Sequence, residues 1–172
     1  MNKTILKNLK NLLAILFAFT STSSVSAQEL TAAEAAVVEA EAQRLVEKYY
    51  NYYYERNPEA LAAEIFTLPW FTLGANGVVA RSSEQENLEF FRSAIDGLVQ
   101  RGWNRSIFTT VNVCVFGAGS AIVSGTNTRT RTDGSIMSVG GVSYIVGLTS
   151  DGWRINSFSS HAPNKVVRCD VE

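Results

Sequence analysis

The chain has 172 residues, 46% of them hydrophobic, and its 15 basic and 16 acidic side chains give a formal net charge of −1. A near-neutral chain without a Lys/Arg cluster excludes proteins that hold nucleic acid or anionic membrane by neutralising phosphate. One histidine and two cysteines supply no zinc-ligand spacing, and no nucleotide motif occurs, so neither a metal nor a cofactor is expected.

The N-terminus reads as a secretory leader. Lys3, Lys7 and Lys10 precede an apolar stretch from Leu12 to Phe19 that is too short to span a bilayer. Val25-Ser26-Ala27 then presents the small residues that a signal peptidase reads. Cleavage after Ala27 is expected to give a periplasmic or secreted protein with no membrane association. The predicted organisation is a signal peptide over 1–27, one domain over 28–162 and a C-terminal tail over 163–172. In an oxidising compartment Cys114 and Cys169 either pair or remain a buried apolar thiol and a free thiol in the tail.

Thr31-Ala32-Ala33-Glu34 fits a capping box, and Val38, Ala42, Leu45, Tyr49 and Tyr52 recur at helical spacing. This helix is expected to end near Arg56-Asn57, because Pro58 disfavours helical geometry in the residue before it. Asn57 and Pro58 are suited to cap and start a second, short helix reaching about Phe66. Phe71 to Ala80 reads as a small hairpin. Ser83-x-x-Glu86 opens a third helix whose buried face is Leu88, Phe91, Ile95 and Leu98, and Gly102 stops it.

From Trp103 the period changes to two. The first long strand is expected to set Ile107, Thr109, Val111, Val113 and Val115 on one face and Phe108, Thr110, Asn112, Cys114 and Phe116 on the other. Ala121 to Arg131 returns the chain. Asp133-Gly134 and Asp151-Gly152 are hairpin signals that lead into Ile136 to Leu148 and Trp153 to Ser159. Gly140-Gly141 reads as a bulge or bend. Helices first and a meander after predict an α+β fold. A curved, mainly antiparallel sheet wraps a long N-terminal helix, with two further helices, around one pocket.

The string Tyr49-Tyr50 … Glu55-Arg56-Asn57-Pro58-Glu59-Ala60-Leu61 resembles the end of helix 1 in the SnoaL-like branch of the nuclear transport factor 2-like superfamily. Asp151-Gly152-Trp153-Arg154-Ile155 resembles that superfamily's closing hairpin, and the strands around Asp133-Gly134 resemble its middle one. The likeness spans most of residues 31–160. It implies the cone fold of the ketosteroid isomerase type, a pocket at the open end, and a homodimer through the open sheet face. Members include isomerases, cyclases, dehydratases, epoxide hydrolases and transport factors, so the resemblance does not fix a function. Tyr49 matches the isomerase tyrosine. The segment expected to carry the carboxylate base, Thr67 to Gly74, has no acid, and neither has Thr109 to Phe116.

The ligand-binding candidates are Tyr49 and Tyr53, Trp70 at the expected pocket mouth, and Asn112 among apolar neighbours. The weak catalytic candidates are Tyr49 and His161. The tyrosines and the histidine have plain structural alternatives, amphipathic packing and a solvated or hydrogen-bonded terminal position. Arg129 and Arg131 share one strand face; they suit either a carboxylate ligand or an exposed sheet surface. Three functions follow. The first is a binding module for a small, mainly apolar molecule. The second is an isomerase, cyclase or hydro-lyase acting on a small hydrophobic substrate. The third is a non-catalytic protein-interaction domain.

Overall fold

The computed structural model describes residues 29–75 and 77–169; the expected leader over 1–27 lies outside them. Helix α1 runs Ala32–Tyr54, α2 Pro58–Glu64 and α3 Glu84–Gln100. Strands β1 (Phe66–Gly74), β2 (Gly77–Arg81), β3 (Trp103–Gly117), β4 (Ser120–Arg131), β5 (Ile136–Thr149) and β6 (Gly152–His161) form one sheet. Its order is β2-β1-β6-β5-β4-β3, and only the β1–β6 pair is parallel. The fold is therefore α+β, with a mostly antiparallel sheet curved over three helices. Among the described residues no helix is long and apolar enough to cross a membrane.

Each helix starts as its cap chemistry dictates. Thr31 Oγ1 accepts from the Glu34 amide at 3.3 Å while the Glu34 carboxylate accepts from the Thr31 amide at 2.9 Å. Ser83 and Glu86 repeat the device, and Asn57 Oδ1 accepts from the Ala60 amide at 3.0 Å. Helix α1 closes two to three residues before the expected end. Arg56 takes the left-handed conformation (φ 55°), and the Asn57 amide donates back to the Tyr52 carbonyl.

The buried face of α1 is Val38, Ala42, Leu45, Val46, Tyr49, Tyr50 and Tyr53. That of α3 is Asn87, Phe91, Ile95 and Leu98; Leu88 is only partly covered. A polar residue takes the first core position because its amide is satisfied twice. Asn87 Nδ2 donates to the Ala62 carbonyl and its Oδ1 accepts from Trp70 Nε1, both at 2.8 Å.

Two departures from the sequence reading decide which side chains reach the interior. First, the strand after α2 starts at Phe66, not Phe71. Pairing with β6 draws Phe66 and Trp70 into the core at 4% and 0% exposure. Second, β3 is irregular between Trp103 and Arg105 and again between Thr110 and Asn112. These irregularities break its alternation. Trp103, Ser106 and Phe108 face inward in the first half, and Val113 and Val115 in the second. Ile107 is left exposed, and Asn112, Cys114 and Phe116 share the outer face.

Glycine makes two close approaches possible. A Cβ on Gly125 would stand 2.2 Å from the Thr109 carbonyl oxygen and 2.7 Å from the Phe108 ring, so only glycine lets β3 cross there. A Cβ on Gly141 would stand 2.2 Å from the His161 ring. Gly141 is thus a seat for an imidazole; of the bulge or bend expected at 140–141, no bulge forms, since β4 and β5 pair in unbroken register through it.

The segment 162–169 folds back across the outer sheet face. Cys114 and Cys169 form a disulfide, with Cα atoms 5.7 Å apart. Beneath the segment lies a polar row: the Val167 amide donates to Ser124 Oγ at 3.0 Å, Ser124 Oγ meets Ser143 Oγ at 2.6 Å, and Ser143 Oγ meets His161 Nε2 at 2.9 Å.

Candidate functional site

The inner face of the sheet and the tyrosine face of α1 border a half-open cavity of 210 Å³. Its aromatic walls are Tyr49, Tyr50 and Tyr53 from α1, Phe90 from α3, Tyr144 from β5 and Phe158 from β6. Helical spacing brings three tyrosines from one chain segment to one wall. The rings lock one another edge to face, Tyr49 lying 5.0–5.7 Å from Tyr50, Tyr53, Phe66 and Tyr144, while Tyr50 stacks on Phe108 at 5.2 Å.

The polar end of the cavity belongs to β4. Its alternation sends Ala121, Val123, Gly125, Asn127 and Arg129 inward, and the last two line the cavity. Arg101 and Ser106 add polar surface nearby. No Asp, Glu or His lines this cavity among the described residues.

The phenols are neutral donors. The Tyr50 and Tyr144 hydroxyls meet at 2.8 Å in the interior. Burial pushes the phenols of Tyr49, Tyr50 and Tyr144 well above the ordinary value, and that of Tyr53 up to about 12. Smaller effects act both ways. Neighbouring phenols raise Tyr49 and Tyr144, while hydrogen bonds from Tyr144 and Tyr49 lower Tyr50 and Tyr53, and the Arg129 guanidinium lowers Tyr49, Tyr50 and Tyr53. Each raised group keeps its proton in the folded state after the unfolded chain has released it. Stability is therefore full below about pH 10 and falls as pH rises, by about 1.4 kcal/mol per pH unit for each such phenol. In an alkaline absorbance titration these four of the six tyrosines are expected to ionise only as the fold is lost. Ionisation of all six near pH 10 with native near-ultraviolet dichroism would contradict this arrangement.

The structure places Tyr49 and Tyr53 together in the cavity wall and separates the other candidates from them. Trp70 is not a mouth residue: it is fully buried against Phe66, Phe91 and Phe158 and bonded to Asn87, because β1 begins early. Asn112 is on the outer face, where its Oδ1 accepts from the Cys169 amide at 3.3 Å. The irregularity in β3 put it there. His161 also lies on the outer face, on Gly141 and bonded to Ser143, so it cannot act together with Tyr49. Asn127 was not among the expected site residues, and Arg129 was placed only on a shared face with Arg131. Their signal was the two-residue period shared with Val123, which fixes one common face once Val123 is placed in the core.

A larger hollow of 580 Å³ lies elsewhere, between α2, the start of α3 and the β5–β6 turn. Ala62, Ala63, Phe66, Leu68 and Leu88 supply its apolar lining and Glu59, Glu84, Asp151 and Arg154 its charged lining. Leu68 is 42% exposed and Glu59 is already paired with Arg92 at 2.6 Å. It is a surface groove outside the cone, and its size does not outweigh the convergence of buried polar groups in the smaller cavity.

The model of the family described as NTF2-like protein (DUF6841) matches residues 39–163, which run from mid-α1 to just past β6. The chain belongs to this NTF2-like family. Solved structures share the fold. An NTF2-like protein with a cystatin-like fold from Novosphingobium aromaticivorans superposes with a TM-score of 0.62 at 17% identity, over 81% of this chain and 94% of that one. An NTF-2 like protein of unknown function from Shewanella oneidensis gives 0.58 at 16%, over 72% and 98%. An NTF2-like superfamily protein from Salmonella enterica gives 0.55 at 16%, over 80% and 99%. At such identities the likeness shows the NTF2-like fold alone. No curated protein matches in sequence.

Proposed function

We propose that this NTF2-like chain is an exported binding protein that holds a small molecule with a mainly apolar body in its cone cavity. The observation that carries this reading is the cavity itself: 210 Å³, walled by aromatic rings on both the helix and the sheet side. A dry apolar cavity of about 150 Å³ holds benzene, so this one suits a single ring with one substituent. General acid–base chemistry needs a group that exchanges protons near neutral pH. The lining supplies only raised phenols and arginines, which supports binding over catalysis. The Cys114–Cys169 disulfide supports an oxidising compartment, in agreement with the leader over 1–27. For self-association we propose the part of the outer face that segment 162–169 leaves open, where Phe116 and Ile145 are 65% and 42% exposed.

Chemical-shift mapping with a panel of single-ring compounds tests the binding reading. Shifts are expected to cluster at Tyr49, Tyr53, Val142 and Phe158. Shifts confined to the groove at Ala62, Leu68 and Leu88 would refute it.

A further inference from the structure

The polar end of the cavity holds more unanswered hydrogen-bonding capacity than an apolar guest would leave there. Arg129 Nε is fully covered, yet no protein acceptor reaches it among the described residues. No carboxylate forms an ion pair with Arg129 among them either. Two residues away on the same inward face, Asn127 is 8% exposed and its Oδ1, an acceptor, has no protein donor among the described residues, so it calls for a donor on the guest rather than a carboxylate oxygen. Leaving a covered guanidinium nitrogen unsatisfied is costly unless the site receives an acceptor.

The rest of the lining leans toward donors. The two phenols of the Tyr50–Tyr144 pair carry two hydrogens and share one hydrogen bond, so one hydrogen remains to donate. Arg101 adds a second cation to the lining, and no lining side chain is acidic. Donors and positive charge therefore exceed acceptors and negative charge at one end of an aromatic chamber. A guanidinium fork matches a carboxylate's two oxygens.

Resting on the pocket reading above, we infer that the ligand is a single-ring carboxylic acid whose carboxylate is held by Arg129 beside Asn127, with its ring between Tyr49 and Phe158. The body remains apolar, as the sequence led us to expect, but the molecule is an anion.

Isothermal titration with benzoate and its uncharged isostere benzamide tests this on the intact protein, without any variant. Benzoate is expected to bind about 10- to 100-fold more tightly, the range for a charge-assisted hydrogen bond. In Arg129→Gln that preference is expected to fall to near unity, and in Arg129→Lys to be partly restored. Equal affinity of the native protein for both probes overturns the inference and leaves the pocket reading standing. A benzoate preference that persists in Arg129→Gln overturns the assignment to Arg129. Binding of neither probe overturns the inference and the pocket reading together.

Discussion

Trp70→Ala is expected to destabilise the protein by about 3–5 kcal/mol, the range for truncating a fully packed aromatic core residue. Trp70 has no exposed surface. Its ring lies 4.2 Å from that of Phe66, stacks on Phe91 at 5.9 Å and on Phe158 at 5.7 Å, and meets Phe90 at 5.4 Å. It also carries the guanidinium of Arg81, 4.6 Å above its centroid. Truncation leaves the Asn87 Oδ1, itself at 0% exposure, without its donor. An orphaned buried acceptor costs about 1–3 kcal/mol more. Against a typical stability of about 5–15 kcal/mol, this one change takes the fold close to its limit. Urea unfolding with a shared slope measures it. A loss below about 1 kcal/mol, accompanied by weakened ligand binding, would return Trp70 to the pocket mouth and refute the packing described here.

The second large effect concerns the disulfide. Cys114 and Cys169 are separated by 55 residues. Closing a loop of that length in the unfolded chain is worth about 4 kcal/mol on the chain-entropy account. Replacing both cysteines by serine is expected to lower the unfolding free energy by about that amount. The same change frees segment 162–169, so the amides of Val167 and Cys169, which now donate to Ser124 and Asn112, are expected to lose protection from hydrogen exchange. Ser124, now fully covered, would gain water. Denaturant midpoints with and without a thiol reductant provide a second route to the same number. Identical midpoints and unchanged exchange at Val167 would mean that the cross-link contributes nothing to stability.

Much of the frame was legible because it is encoded locally. The Thr31/Glu34 and Ser83/Glu86 boxes, the Asn57-Pro58 start and the glycines of the two Asp-Gly turns act within a few residues of themselves. Gly134 and Gly152 adopt the positive φ (83° and 96°) that those turns require. What was lost depends on distant partners. The early start of β1 follows from parallel pairing with β6, some 90 residues later in the chain by the pairing of Phe66 with Ile155. Nothing in Thr67-Leu68-Pro69-Trp70 announces that pairing. The irregularities in β3 are answered across the sheet, in part by Gly125, so an unbroken period of two gave Asn112 the wrong face.

The site divides in the same way. Tyr49 was found because a helix repeats its faces predictably; the same series ran on to Tyr52, but the buried face continues through Tyr53, and the Tyr52 hydroxyl donates to Glu64 at 2.7 Å instead. Asn127 and Arg129 carried the right spacing, but a strand of mixed polarity does not state which of its faces is interior. Only packing of Val123 under α1 resolves that. His161 was considered for catalysis because it is the one histidine. The sheet itself separates it from the tyrosines, a barrier that sequence distance does not reveal.

The most direct test of a small-molecule cavity with an anion-reading end is to purify the protein under native conditions, denature it, and identify what it releases by mass spectrometry in both positive- and negative-ion modes beside the Arg129→Gln variant. A small single-ring acid is expected to leave with the native protein and to be depleted from the variant. Release of only uncharged lipophilic compounds, equally from both proteins, would contradict it.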